Sequence, residues 1–273
     1  MNFKVLAVLI LIIIVFSLSV YSMNQDKTTK VNLKAGLKAP SLEHPFGTDN
    51  LGRDILIRVV AAISIDIPLA LLIAGLSVFL GTFLGLLGGY FGGVYDRILV
   101  MVMDVFLGLP SMIFAVVLVG ALGPSTMGII LALTLTGWIK YARIVRAYTL
   151  SLKEQEFVES ARALGASDFY IISHHILKNV LSPVIVLGAL HTGYVILSVA
   201  SLGFLGLGIQ PPTPEWGTML NNGRVYIMTA WWMSLFPGLM ILITVMLFNS
   251  LGERLREALD ATKTRRRQEI DTP

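Results

Sequence analysis

Long apolar stretches without any charged residue follow one another along the chain. They cover residues 5–25, 67–95, 105–139, 179–214 and 225–252. A helix needs about 20 apolar residues to cross the hydrocarbon core of a bilayer. The third stretch is long enough for two helices, and a Gly-Pro-Ser turn interrupts it at residues 123–125. The pattern predicts six transmembrane helices, near residues 4–22, 65–91, 98–121, 126–148, 183–208 and 233–255.

The composition agrees with a chain that resides in lipid. Hydrophobic residues make up 55% of it and charged residues 14%, whereas a soluble domain usually carries about 25% charged residues. The predicted fold class is therefore an all-α integral membrane protein. The absence of cysteine excludes disulfides, thiolate metal sites and cysteine nucleophiles. Basic residues in cytoplasmic loops account for the net charge of +4, so no nucleic-acid partner is predicted.

The spacing of the apolar runs divides the chain into four parts. Residues 1–22 are interpreted as a retained transmembrane anchor, because their apolar run is longer than that of a typical signal peptide. Residues 23–62 form an external segment, in which the stretch 47–58 combines turn signals with an apolar stripe and is predicted to be a short amphipathic helix. A core of five helices follows at residues 63–258 and includes a cytoplasmic loop at 150–182. Residues 259–273 form a basic cytoplasmic tail.

The distribution of basic residues predicts the orientation. With the N-terminus in the cytoplasm, 14 of the 21 Lys and Arg residues fall on the cytoplasmic side, including the six between Lys140 and Lys178. Cytoplasmic loops of membrane proteins carry this excess of positive charge. Both termini and the loop 150–182 are therefore predicted to be cytoplasmic.

That loop contains the most polar segment between two spans, EFVESARALGASDFYIISHHILKNVLSP at residues 156–183. Helical spacing places Phe157, Ala161 and Leu164 on one face. Gly165 is expected to end this helix in a left-handed conformation, and Ser167 to cap a second helix. Two uses remain open from the pattern alone: a face that docks into a groove of another protein, or an amphipathic helix on the membrane surface.

The same segment resembles the EAA loop of permease subunits of ABC importers. Glu159, Ala161 and Gly165 match the pattern of that loop, while Ser160 replaces an alanine and Lys178 stands where proline is expected. Further stretches resemble the dipeptide, oligopeptide and nickel branch of this family, and the likeness extends over residues 43–260. They are HPFGTDNLGRDILIRV at 44–59, GFLGLGIQPPTPEWGTML at 203–220, and the sequences LFPGL and FNSLGERLREALD in the last span and its exit.

The resemblance implies a type I ABC importer permease fold and a subunit that does no covalent chemistry. It implies that a cytoplasmic coupling helix sits in a cleft of an ATP-binding subunit, and that Phe157, Glu159, Ala161, Leu164 and Gly165 make this contact. The expected partners are a homologous second permease, two ATP-binding subunits, an extracytoplasmic solute-binding protein and the lipid bilayer of a prokaryotic plasma membrane. No cofactor is expected on this chain. ATP and Mg²⁺ would bind the partner subunits, since the sequence has no G-x-x-x-x-G-K-[ST] loop.

Three glycines at intervals of four, Gly81, Gly85 and Gly89, form a small-residue stripe on the second span. Such stripes let helices approach closely in lipid. The stripe is interpreted as a packing surface, either against another span of this chain or against a partner permease.

Four further residues are candidates for the pathway or its gate. Asp104 and His191 are ionisable groups within spans, where a charge should face the bundle interior or find a partner. The alternatives are a polar group near the interface for Asp104 and a hydrogen-bonded interior histidine for His191. Glu215 and Trp216 are the distinctive side chains of the external QPPTPEWG sequence. The alternative interpretation is that this sequence is only a rigid connector.

The four histidines are the candidate ligands for a transition metal. His44, His174, His175 and His191 are distributed over the outside, the inside and a span, whereas a transition-metal site needs several ligands together. No permanent metal site is predicted.

The leading functional hypothesis is half of the translocation pathway for nickel or short peptides, driven by ATP hydrolysis on partner subunits. The alternative is an ion-coupled carrier that works alone. Such carriers use ionisable residues near the midplane and paired repeats, and the chain has few of the first and no visible repeat.

Overall fold

The computed structural model describes the backbone of residues 3–24 and 28–271, with side chains described at residues 12, 14–24 and 28–259. Helices follow one another throughout these residues, and the described part contains no β-strand beyond one isolated bridge between Thr48 and Asp54. The helices are α1 (Phe3–Met23), α2 (Ile55–Phe91), α3 (Gly93–Leu107), α4 (Ser111–Leu122), α5 (Thr126–Lys153), α6 (Glu156–Ala163), α7 (Asp168–Phe204), α8 (Trp216–Gly223) and α9 (Trp232–Asp271).

The described residues do not confirm the count of six spans. Four helices are long and apolar enough to cross a membrane: α2, α5, α7 and residues Trp232–Leu259 of α9. A fifth crossing results if α3 and α4 are counted together. The backbone of α1 is helical where the first span is predicted, but several of its side chains lie outside the described residues and its described apolar part is short, Ile14–Met23.

The third predicted span, residues 98–121, is not one straight helix. α3 and α4 meet at an angle of 88° across residues 108–110. Pro110 precedes the first residue of α4 with a φ of −57°, and a residue before proline is disfavoured in the helical region. The chain therefore cannot continue the helix through Leu109, and the short arm α4 turns away from α3.

The fifth predicted span, residues 183–208, begins earlier than expected. α7 starts at Asp168, where the Ser167 hydroxyl accepts a hydrogen bond from the Tyr170 amide at 3.3 Å, and it continues through Pro183 to Phe204. A π-helical turn at Ile171–Ile176 lies between its first residues and the membrane-spanning part. The second helix predicted in the loop 150–182 and the fifth span are therefore one continuous element.

The amphipathic helix predicted at residues 47–58 is wrong for residues 47–54, and only its last residues are helical, as the start of a longer helix. α2 begins at Ile55, where the Asp54 carboxylate accepts a hydrogen bond from the Ile57 amide at 3.1 Å, and it continues without a break through the second span. Residues before it fold into tight turns, with Gly47 and Gly52 both at a φ of +74°. Left-handed backbone of this kind favours glycine and ends regular structure.

The glycine stripe of α2 packs against α5 of the same chain. A Cβ atom added to Gly81 would lie 2.4 Å from the Trp138 carbonyl oxygen, and one added to Gly85 would lie 2.7 Å from the Ala142 carbonyl oxygen. At Gly89 the nearest atom would be the Thr149 Cβ at 2.8 Å. Backbone therefore meets backbone over two helical turns, a close approach that small residues permit in lipid.

The short helix α8 is attached to α2 by buried polar groups. Glu215 is 1% exposed and Trp216 is 0% exposed. The Glu215 carboxylate accepts hydrogen bonds from the Gly217 amide at 2.6 Å, and from the amide and hydroxyl of Thr218 at 2.7 and 2.6 Å. Burial raises the pKa of Glu215, although these hydrogen bonds act in the opposite direction.

Trp216 completes this attachment. Its amide donates to the Asp66 carboxylate at 3.1 Å, and its indole Nε1 donates to the Val59 carbonyl at 3.0 Å. The sequence interpretation placed Glu215 and Trp216 on an external loop within reach of a solute. The structure instead buries both, because a helix N-terminus needs an acceptor for its free amides and the indole needs one for its N–H.

Replacing Gly85 by alanine should destabilise the protein, because the added methyl group has no space between α2 and α5. Forced packing of this kind costs about 1–3 kcal/mol. Gly75→Ala, in the same helix, is the matched control, since its Cβ would meet nothing within 4 Å. The measurement is thermal unfolding of the detergent-solubilised protein. Equal midpoints for the two variants would contradict the assignment of this face.

Glu215→Ala should lower the free energy of unfolding by about 2 kcal/mol, because the buried amides of Gly217 and Thr218 lose their acceptor, while the Thr218 hydroxyl keeps the Ile209 carbonyl. Gln210→Ala is the control, since Gln210 is exposed and donates a single hydrogen bond to the nearby Gly208 carbonyl at 2.9 Å. A Glu215→Ala variant that keeps its thermal stability but loses transport would restore Glu215 as a pathway residue.

Candidate functional site

A cleft of about 360 Å³ opens between the α3–α4 corner, α5 and α7. Its apolar wall includes Phe106, Met112, Leu133 and Val195. The polar side chains that line it are Ser111, Thr136, Lys140, Arg143, His191, Tyr194 and Ser198. An apolar cleft of a few hundred Å³ with a few converging polar groups is typical of a small-molecule site. Three of the candidate spans therefore form one concave surface.

Lys140 is the charged residue nearest the middle of α5. It was counted among the cytoplasmic basic residues, although it lies within the predicted span 126–148; α5 continues to Lys153, about 20 Å further along the helix axis at 1.5 Å per residue. The Lys140 Nζ lies 5.0 Å from the centroid of the Tyr194 ring of α7. A cation over an aromatic face is attracted by the ring quadrupole. This contact between α5 and α7 could not be predicted from the apolar pattern.

His191 lines the cleft, as one of its two interpretations requires. It is 5% exposed and lies between two tyrosine rings, with centroid distances of 5.5 Å to Tyr141 and 5.4 Å to Tyr194. Its Nδ1 is buried and has no hydrogen-bond partner among the described residues. The alternative interpretation, a histidine that is hydrogen-bonded in the interior, therefore does not hold for Nδ1. A buried polar atom without a partner is uncommon and calls for an explanation.

Asp104 lies outside the cleft. It is exposed on α3 and lines a separate shallow groove with Arg97 and Arg146. Arg146 is bound by another residue, since its Nη2 donates to the Asp96 carboxylate at 2.7 Å. The expectation that Asp104 faces the bundle interior is therefore not met within this chain, because α3 presents this turn to its outer surface.

The loop between α5 and the membrane-spanning part of α7 has a buried side and an exposed apolar side. Val158 of α6 is fully buried in a cluster with Ile171, Ile176 and Val180 of α7, and Ala161 packs at its edge. Leu164 is 88% exposed and Phe157 is 41% exposed. The face predicted from Phe157, Ala161 and Leu164 is thus divided, because Val158 rather than Phe157 anchors α6. Glu159 is exposed next to this anchor.

The corner after α6 has the geometry that its glycine predicts. Gly165 has a φ of +83°, and the Ala166 amide donates to the Ala161 carbonyl at 3.0 Å. Beyond the corner Phe169 is 80% exposed, while the Tyr90 hydroxyl of α2 donates to the Asp168 carboxylate at 2.6 Å. The start of α7 is therefore held to the end of α2, and apolar side chains on both sides of the corner remain uncovered.

The histidines are separated from one another, except for the adjacent pair His174 and His175. The His44 ring is 2.8 Å from the Asp54 carboxylate, and His174 and His175 pack against the Tyr170 ring. Within the part of the chain that the structure describes, no three His, Cys, Asp or Glu side chains converge as metal ligands.

Comparison with known proteins identifies relatives over most of the chain. Residues 77–265 match the model of a family described as binding-protein-dependent transport system inner membrane component. A candidate peptide transport system permease protein of Brucella suis biovar 1 is 38% identical over 259 residues, which cover 95% of this chain and 87% of the relative. A glutathione transport system permease protein of Shigella flexneri serotype 5b is 47% identical over 221 residues, covering 81% and 73%.

Solved structures share the fold at low sequence identity. A chain from the crystal structure of an amino acid ABC transporter superposes with a TM-score of 0.57 at 13% identity, covering 74% of this chain and 94% of that one. A chain of an inward-facing methionine ABC transporter gives 0.51 at 20% identity, covering 71% and 94%. The family match and the relatives together show that the chain belongs to the inner membrane components of binding-protein-dependent transport systems, the permease subunits of ABC importers.

Proposed function

We propose that this chain forms half of the membrane channel of an ABC importer for short peptides. The relatives belong to peptide and glutathione transport systems, which supports this substrate class. A homologous second permease would complete the channel, two ATP-binding subunits would drive it, and a solute-binding protein would deliver the substrate. The Lys140 and Arg143 side chains are exposed in the isolated chain, which agrees with a cleft that a second permease closes.

Nickel, the other substrate expected from the sequence, finds no support among these relatives. The cleft also argues against it, because two of its lining residues are cationic and none is an aspartate or glutamate. A positively charged lining repels a divalent cation. No observation favours a carrier that works alone, and that alternative is dropped.

The continuity of α7 is the observation that carries the mechanism. The helix begins at Asp168, beside the exposed corner, and bears His191 and Tyr194 on the wall of the cleft. At 1.5 Å per residue, Asp168 and His191 lie about 35 Å apart along one helix. A force applied to the corner is therefore transmitted to the cleft with no flexible linker between them.

The exposed apolar side chains at the corner supply the contact for that force. Phe157, Leu164 and Phe169 are uncovered, and a helix with an apolar face suits a groove on a partner protein. We assign this surface to the ATP-binding subunit and the loop to the cytoplasm. Closure of the paired ATPases would then move α6 and the start of α7 together, because Val158, Ile171 and Ile176 pack as one cluster.

Leu164→Asp tests the docking surface. Burying a leucine on binding contributes about 1.5–3 kcal/mol, so the charge should weaken binding of the ATP-binding subunits at least about tenfold. The readout is the amount of these subunits that co-purifies with the tagged chain. Leu42→Asp is the matched control, because Leu42 is fully exposed in the segment before α2. Undiminished co-purification of the Leu164 variant would remove the docking assignment.

Import itself is tested with the four membrane and ATP-binding subunits reconstituted in proteoliposomes together with the solute-binding protein. The substrates are an equimolar mixture of di-, tri- and tetrapeptides, glutathione, and nickel chloride in separate reactions. We expect ATP-dependent accumulation of peptides, of glutathione or of both, and none of nickel. Accumulation of nickel alone would reverse the substrate assignment, and accumulation of any of them without ATP would revive the independent carrier.

A further inference from the structure

The polar lining of the cleft contains hydrogen-bond donors and positive charge without a compensating carboxylate. Lys140 and Arg143 lie three residues apart on α5 and both face the cleft. No described carboxylate lies within 4.0 Å of a nitrogen of either side chain. This contrasts with Arg146 on the next turn, which is paired with Asp96. The cleft is therefore an electropositive pocket and not part of an ion-pair network.

A lysine within a membrane-spanning helix is costly unless a partner compensates its charge. The Tyr194 ring does so in part, with the Lys140 Nζ 5.0 Å from its centroid. A ring face attracts the ammonium group but accepts no strong hydrogen bond from it. The three N–H donors of Lys140 and the guanidinium donors of Arg143 thus remain available to an anion.

Two further polar side chains line the same cleft. The His191 ring is part of its wall, and the Nδ1 of that ring is buried without a hydrogen-bond partner among the described residues. The Ser111 hydroxyl lies 3.4 Å from the Tyr194 hydroxyl, a weak contact that either group can exchange for a better acceptor. The lining therefore offers charged and neutral donors to one ligand, which is the arrangement that carboxylates and phosphates require.

We propose that the cleft binds the carboxylate of the solute in transit, with Lys140 and Arg143 as its cationic contacts and His191 as a neutral one. This inference rests on the proposed import of peptides, and it names the chemical group by which the permease itself recognises them. The apolar wall of Phe106, Met112, Leu133 and Val195 then contacts the remainder of the solute without regard to its sequence. A solute with a free carboxylate is favoured over the corresponding amide.

An anionic lipid headgroup has the same charge chemistry and could occupy an open cleft in a membrane. The geometry favours a small solute, since the cleft is lined on three sides by α5, α7 and the α3–α4 corner and contains an apolar wall next to its cations. The two occupants differ in their dependence on lipid composition.

The absence of cysteine from the chain allows a direct test. Ser111→Cys places one thiol at the rim of the cleft, where Ser111 is exposed. The assembled transporter is placed in phosphatidylcholine nanodiscs, and the thiol is modified with an anionic methanethiosulfonate (sulfonatoethyl) or a cationic one (trimethylammonioethyl). The ratio of the two rates, divided by the ratio for a free thiol in solution, reports the local potential. Mass spectrometry of this chain measures the extent of modification.

We expect the normalised ratio to favour the anionic reagent and to fall about tenfold with Lys140→Gln, because a cleft lined by charges of one sign concentrates its counter-ions. Arg143→Gln should act in the same direction, and it provides the result if the Lys140 variant fails to assemble. Lys153→Gln is the matched control, since it removes the same kind of charge from the same helix outside the cleft. Size-exclusion chromatography establishes assembly for each variant.

Protection identifies the ligand. An equimolar tripeptide mixture should slow modification of the Ser111→Cys thiol, the same mixture with C-terminal amides should not, and Lys140→Gln and Arg143→Gln should remove the protection. Equal protection by acids and amides, or an unchanged rate ratio in assembled Lys140 or Arg143 variants, would overturn the proposal. So would modification that is slow in phosphatidylglycerol nanodiscs and fast in phosphatidylcholine nanodiscs whether or not peptide is present, because a lipid then occupies the cleft.

The test separates this inference from the proposed function. Protection by tripeptides without ATP-dependent uptake in proteoliposomes would remove the import of peptides and leave the carboxylate site in place. Uptake of peptides without protection or charge preference would keep the import and remove the site.

Discussion

The close packing of α2 against α5 is the contact on which the remaining architecture depends. Gly81, Gly85 and Gly89 bring the two backbones together, so that one side of α5 is permanently covered. Trp138, Tyr141 and Ala142 face that contact. The opposite side of the same helix must then carry Thr136, Lys140 and Arg143 into the cleft. The glycine stripe, which only packs, thus determines the direction in which Lys140 and Arg143 point.

In the proposed mechanism α7 has the complementary role of a lever. Its first residues belong to the corner after α6, and its middle contributes His191 and Tyr194 to the wall opposite α5. The Tyr90 hydroxyl of α2 donates to the Asp168 carboxylate at 2.6 Å, and Tyr90 also belongs to the apolar cluster that contains Ile171 and Ile176 of α7. These are side-chain contacts, whereas the glycine stripe brings the backbones of α2 and α5 together. We therefore expect α7 to move more easily relative to the α2–α5 pair than α2 relative to α5.

Local signals predicted the parts of this structure that depend on local physics. The apolar runs located the four helices that are long enough to cross a membrane, and Gly165 and Ser167 located the corner, because a left-handed residue and a helix cap are properties of a few adjacent residues. The burial of Glu215 depends on the packing of α8 against α2 and against the end of α7, and the position of Lys140 beside Tyr194 depends on α5 meeting α7. Both are set by tertiary contacts. The Leu109-Pro110 pair was a local signal for the 88° break that the apolar pattern concealed.

The cation–π contact in the cleft lies between α5 and α7. It therefore links recognition of the solute to movement of α7. Lys140 belongs to the fixed helix α5 and the Tyr194 ring to α7. A shift of α7 by a fraction of a helical turn changes the distance between the ammonium group and the ring. The attraction falls as that distance grows beyond about 6 Å, and the lysine then needs another partner in a medium that tolerates no bare charge. In the proposed site, a bound carboxylate would satisfy that need in one position of α7 and compete with the ring in the other. Lys140 would therefore make the affinity for an anionic group depend on the position of α7.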